Sequence, residues 1–153
     1  MTAGTTEQIN QDQADRERFG FLVNPDLTYR RIVFDDDTAR ETLGGMTGEV
    51  VDVAFDQDGN RFHAIFRPDA VRHGAEPNPV ASLARNTAET DNPEFLTDPT
   101  RAISGPVIFT ARDGASVDER TIDKVLQAIR AVENYRDDNA EEFELWRNAV
   151  KNR

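Results

Sequence analysis

Cysteine is absent from all 153 residues, which rules out disulfides, thiolate zinc sites and a thiol nucleophile. Only two histidines occur, His63 and His73, and they do not sit in a metal-ligand spacing. No apolar run approaches the roughly 18 residues that span a membrane. The first residues, MTAGTTEQINQDQADRER, have neither the basic start nor the apolar centre of a secretory signal. A cytoplasmic location without membrane association is therefore expected. Positive charge is also in short supply, with 18 Lys and Arg against 29 Asp and Glu and a net charge of −11. Such a chain has no general affinity for nucleic-acid phosphate or anionic lipid, so direct nucleic-acid binding is not expected.

Familiar chemical motifs are missing too. Gly44-Gly45-Met46-Thr47-Gly48 has glycines but no lysine and no helix to follow, so it reads as a helix stop rather than a phosphate loop. Ser104-Gly105-Pro106 is not a nucleophile elbow. Asp56-Gln57-Asp58-Gly59-Asn60 resembles a calcium loop only in composition, because its Gly falls at the fourth position and Arg67 stands where the distal acid belongs. Neither a cofactor nor a metal is implied, and no residue is assigned a catalytic role.

What the sequence does contain is fold signal. Residues 1–15 are polar with little to bury and read as a disordered tail; residues 16–153 read as one domain. Phe19–Val23 and Thr28–Phe34 flank the turn signal Asn24-Pro25-Asp26 and form a possible first hairpin. Asp35-Asp36-Asp37 precedes a short helical run stopped by Gly44-Gly45, so a capping and solvated role outweighs a cation site.

The clearest element runs from Gly48 to Phe66. Asp58-Gly59 suits a two-residue hairpin turn, and counting outward sets Phe55 against Phe62, Val53 against Ala64, Val51 against Phe66 and Asp56 against Arg61. His63 then faces Ala54. Six apolar side chains fall on one face; the other is mixed, with Asp52 and His63 among Val50, Ala54 and Ile65.

Asn78-Pro79 opens a helix to about Glu89 with a narrow stripe of Val80, Leu83, Ala84 and Thr87. Thr90 to Thr100 reads as an exposed flap anchored by Phe95 and Leu96. Ala102–Thr110 is a strand whose Pro106 requires an edge, a bulge or an unpaired position. Ser116 to Glu119 fits a capping box, opening a helix with Ile122, Val125, Leu126, Ile129 and Val132 on one stripe and an end near Tyr135 or Arg136. Asp138 recaps a last helix carrying Phe143, Trp146, Ala149 and Val150, with Leu145 beside the stripe. Tyr135 and Trp146 read as core. The expected class is α+β: an antiparallel sheet of four or five strands with helices on one face, and two C-terminal helices within 116–150.

Several of these pieces, in this order, resemble a known family. They are Leu43-Gly44-Gly45, the strand Glu49 to Val53, the Asp58-Gly59 turn, Asn78 with Ala81 and Ala84, and Ile103 to Phe109. Over residues 28–112 the chain resembles the bacterial and phage domain of unknown function DUF3846. The resemblance implies an origin in a phage or other mobile element; it implies no activity.

Two functional classes follow. The first is a small acidic accessory protein without catalysis that binds a protein partner. In one version it is an acidic inhibitor occupying a basic nucleic-acid site, which needs Asp26, Asp35, Asp36, Asp37, Glu41, Glu49, Asp52, Asp56 and Asp58 to share one surface. The second is a small-molecule or nucleotide-handling enzyme, with His73, Asn78, Arg85 and Arg101 at a pocket roofed by the Thr90 to Thr100 flap. Asp35, Asp36 and Asp37 with those four make up the candidate binding residues.

Overall fold

The structure is a computed structural model that describes residues 17–45, 48–56, 60–92, 95 and 98–152. The Asp58-Gly59 turn, Leu96 and the N-terminal 16 residues lie outside the described residues. Five strands, β1 (Arg18–Val23), β2 (Tyr29–Phe34), β3 (Glu49–Val53), β4 (Phe62–Phe66) and β5 (Val107–Thr110), form one antiparallel sheet in the order β2-β1-β5-β4-β3. Two local hairpins therefore stand side by side, joined by a strand from far along the chain.

That arrangement places β5 at the centre of the sheet. Pro106 stands just before its first residue and so interrupts no ladder hydrogen bond, the unpaired position among the options its sequence allows. All four residues of β5 are buried, because both faces of the sheet are covered and a central strand then has no wet side.

Four helices complete the fold: α1 (Asp36–Thr42), α2 (Pro79–Thr90), α3 (Glu119–Asp138) and α4 (Ala140–Lys151). On one face Phe21, Val23, Val53, Phe62, Ala64, Phe66, Val107 and Phe109 meet the apolar sides of α2 and α3. On the other, Leu22, Phe34, Ile65 and Ile108 lie with Ala39 of the short α1 and Leu43 at its C-cap. The long helices take one face, as the patterning implies, and the mixed face has a small lid of its own. Gly20 makes the second layer possible. A Cβ there would sit 2.6 Å from an Ile108 methyl and 2.7 Å from the Phe34 ring.

The second hairpin keeps its faces but not its expected register. The pairs are Val53 with Phe62, Asp52 with His63, Val51 with Ala64 and Glu49 with Phe66, a slip of two residues. An even slip leaves every side chain on its face, which is why the apolar set is unchanged. The cause is visible at Ala54, whose N–H donates at 3.0 Å to the Ala84 carbonyl of α2. The helix captures the backbone, the ladder ends at Val53, and Phe55 packs diagonally on Phe62 with ring centroids 5.6 Å apart. Asp56 consequently pairs with Lys124 and not with Arg61, while Arg61 donates to the Ala88 carbonyl at 2.8 Å.

Two cap assignments also change. Asp118 caps α3 by accepting from the Thr121 N–H at 2.7 Å, whereas Ser116 accepts from the Phe19 N–H at 3.0 Å and Val117 donates to the Phe19 carbonyl. The segment is held as an extension of the sheet, so the helix begins after it. α3 then runs on to Asp138, and the break falls at Asn139 without a side-chain cap. In α4, Trp146 and Val150 are buried but Ala149 faces solvent. The stripe on α2 is wider than its spacing implies, because Ala81 and Ser82 are buried as well.

Candidate functional site

Asn78 is the hub of the region the sequence singles out. It is fully buried, its Oδ1 accepts from the Ala81 N–H at 3.1 Å, and both amide hydrogens are used, on the carbonyls of Val23 and Gly105 at 3.0 Å each. Ser82 extends the knot by donating to the Asn78 carbonyl at 2.8 Å and accepting from the Ile103 N–H at 3.0 Å. An amide with both donors committed has none to offer a ligand. Asn78 is a structural tie between the end of β1, the approach to β5 and the start of α2.

The other expected residues divide into separate groups. Arg85 and Arg101 meet across Glu89, which pairs with both, and the Arg85 guanidinium also stands over the Phe66 ring. Arg101 beside it holds the Glu89 carboxyl below its ordinary range. His73 is exposed and pairs with Asp69 at 3.2 Å. Asp35 caps α1 through the Thr38 N–H at 2.8 Å, Asp36 pairs with Arg18 at 3.3 Å and Asp37 with Arg40 at 3.6 Å. His63 pairs with Asp52 at 3.1 Å. Phe95, the described anchor of the flap, stacks on Tyr135 of α3 with centroids 4.8 Å apart.

The described acids of the set proposed to imitate nucleic acid are dispersed, and Asp58 lies outside the described residues. Asp26 lies in the turn before β2 and Asp35 to Asp37 follow its far end, about 20 Å away at the rise of a six-residue strand. Glu49 and Asp52 belong to β3, at the opposite edge of the sheet, and Asp56 reaches across to α3. Among the described residues no group of three or more His, Cys, Asp or Glu side chains is placed to hold a metal.

A concave site does exist, beside the Asn78 tie rather than at it. A cleft of about 550 Å3 opens between the 24–27 turn, the 75–77 and 105–106 segments and the two C-terminal helices. Pro25, Leu27, Pro77, Pro106 and Phe143 supply apolar walls; Asp26, Glu76, Arg136 and Arg147 supply charge. In the sequence Pro25 marks a turn and Pro106 constrains a strand. Their second role, as rigid apolar surface, comes from the bridge of Pro77 to Ser104 and the Gly105 N–H donating to the Glu76 carbonyl at 2.9 Å, contacts that join residues far apart in the chain.

The polar end of this cleft is preorganised. Glu76 accepts from Arg147 Nη2 at 2.7 Å and Lys151 Nζ at 3.0 Å, and Arg147 first, then Lys151, hold its carboxyl below the ordinary glutamate range. The Thr28 hydroxyl and then its N–H do the same for Asp26. Leu27, in the wall, is buried with φ of 73°, a left-handed conformation uncommon for a branched side chain. It is held by its N–H donating to the Asn24 carbonyl at 2.9 Å while the Asn24 N–H donates to the Thr28 carbonyl at 2.9 Å.

Comparison with known proteins adds no relative: no family model matches the chain, and neither a curated protein nor a solved structure does so. No described helix is long and apolar enough to cross a membrane.

Proposed function

We propose that the protein is a small, non-catalytic accessory protein that binds a protein partner through the proline-walled cleft. The observation that carries this reading is the cleft's chemistry: apolar walls end in carboxylates that are held ionised by Arg147, Lys151 and Thr28. A carboxylate pushed below its ordinary range is a poor general acid or base near neutral pH, whereas a rigid apolar hollow with a few fixed charges suits recognition of a side chain. The resemblance to DUF3846 adds the proposal that the setting is a phage or other mobile element. The nucleotide-handling alternative has less support, since Asn78 has no free donor and His73 stands apart with Asp69.

Site-specific photo-crosslinking tests the reading. A benzophenone side chain replaces Phe143, and in a control it replaces Leu145, which is 70% exposed on the outer side of α4. In lysate of the native host, a discrete adduct from position 143 and not from 145 is the expected result. Equal labelling from both positions, or none from 143, would reject the cleft as the binding surface.

A further inference from the structure

A second concavity, of about 300 Å3, lies on the other side of the molecule, where the start of β4, the turn after β5 and the first turns of α3 converge. Among the described residues its lining brings together Arg61, Arg112, Arg120 and Lys124, with Asn60 and a single carboxylate, Asp118. Four cations around one hollow are unexpected in a chain of net charge −11, and no sequence run announces them, because they come from three separate elements.

Several acids near this hollow are engaged elsewhere or only in part, while Asp113 and Asp123 adjoin Arg112 and Lys124 in the chain. Asp118 caps α3 through the Thr121 N–H, and its charge also acts on Arg120. Glu119 is drawn away to Arg31 at 2.7 Å. Lys124 has Asp56, and Arg61 has Asp91 at 3.5 Å. Arg112 and Arg120 form no ion pair with another described residue. Arg120 and Lys124 are also four apart on one helix, a spacing that sets like charges side by side at a cost to stability. Guanidinium groups are matched in shape to phosphate oxygens, which they can bind in a two-pronged fashion, and the cations sit at the positive end of the α3 dipole.

From this we infer that the hollow is an anion site for a phosphoryl group carried by a small molecule, with Arg112 and Arg120 as its principal ligands and Arg61 and Lys124 as its walls. It is independent of the proline-walled cleft, and neither assignment depends on the other.

The test is titration of the full chain with inorganic phosphate, pyrophosphate and ADP at about 0.15 M ionic strength, where loose surface attraction is screened. Calorimetry measures affinity, and amide NMR locates the response. Saturable binding of pyrophosphate is expected, with shifts centred on Arg112, Arg120 and Thr121. The doubly substituted Arg112→Gln, Arg120→Gln protein should bind at least about tenfold more weakly, a change of 1.4 kcal/mol, while Arg130→Gln, on an exposed position of α3, should bind as the parent does. Both arginines of the pair are exposed, so the variant keeps its fold, which circular dichroism verifies. Comparable affinity for pyrophosphate and ADP assigns the site to the phosphoryl group alone; tighter ADP binding assigns it to a nucleotide. No saturable response to any of the three, or an equal loss in Arg130→Gln, would overturn the inference.

Discussion

The side-chain amide of Asn78 donates to the backbone carbonyl of Val23 at 3.0 Å, linking two residues 55 positions apart inside the core. With its second bond to Gly105 and its cap on α2, Asn78 joins the first hairpin, the central strand and α2. Asn78→Ala would remove the cap and both side-chain donations to buried carbonyls, a loss of about 3 kcal/mol. Asn78→Asp would keep an N-cap acceptor but turn a carboxylate toward those carbonyls, and should be the less stable of the two. Denaturant unfolding of both variants checks the order; a loss below about 1 kcal/mol for Asn78→Ala would mean the tie is dispensable.

Gly20 gives a second prediction. A methyl group there would meet Ile108 at 2.6 Å and the Phe34 ring at 2.7 Å, and both partners are fully buried between the sheet and α1. Gly20→Ala should therefore cost about 1–3 kcal/mol, the usual penalty for overpacking, although alanine normally stabilises a strand relative to glycine. Pairing it with Phe34→Leu, which opens space beside the new methyl, should recover part of the loss. A stable Gly20→Ala protein would show that the second layer is looser than its contacts imply.

How much of this was legible in the sequence depends on the range over which each feature is decided. Hairpins, the caps at Asp35 and Asn78, and the faces of β3 and β4 follow from neighbouring residues, so turn chemistry and periodicity reveal them. The register of β3 with β4 does not, because the Ala84 carbonyl that captures the Ala54 N–H comes from 30 positions away. Ser116 fails as a cap for the same reason: Phe19 claims it. The candidate sites are the least legible part. Pro25, Pro77 and Pro106 carry a local turn signal strong enough to account for them, and Arg61, Arg112 and Arg120 look like ordinary surface charge until the fold gathers them.

The carboxylates predict the acid response. Hydrogen bonds from the Thr121 side chain and then its N–H lower the Asp118 pKa, so the folded value lies below the unfolded one. The contribution to stability is therefore present above the ordinary aspartate range and is lost as pH falls through the depressed value, from about pH 4 downward. Asp118→Asn keeps a capping oxygen without the charge. At neutral pH it should lose no more than about 1 kcal/mol, and its stability should fall less steeply than the parent's in acid. Parallel stability curves for the two proteins across that window would remove Asp118 as a source of acid sensitivity.

Leu27 combines a buried side chain with φ of 73° in the wall of the larger cleft, and these two facts act in opposite directions on substitution. Truncating a buried leucine to alanine costs about 2–5 kcal/mol, and alanine still carries the left-handed backbone penalty of about 1–2 kcal/mol. Glycine loses slightly more side chain but adopts positive φ freely; against that stands its greater freedom in the unfolded chain, worth about 0.5–1 kcal/mol. Leu27→Gly should thus be as stable as Leu27→Ala or better by up to about 1 kcal/mol, reversing the order usual outside turns. Thermal unfolding of the two variants side by side decides it. If alanine proves clearly the more stable, the turn relaxes to negative φ when the side chain is cut, and the wall of the cleft is shaped by the leucine's packing rather than by the bonds of Asn24 and Thr28 around it.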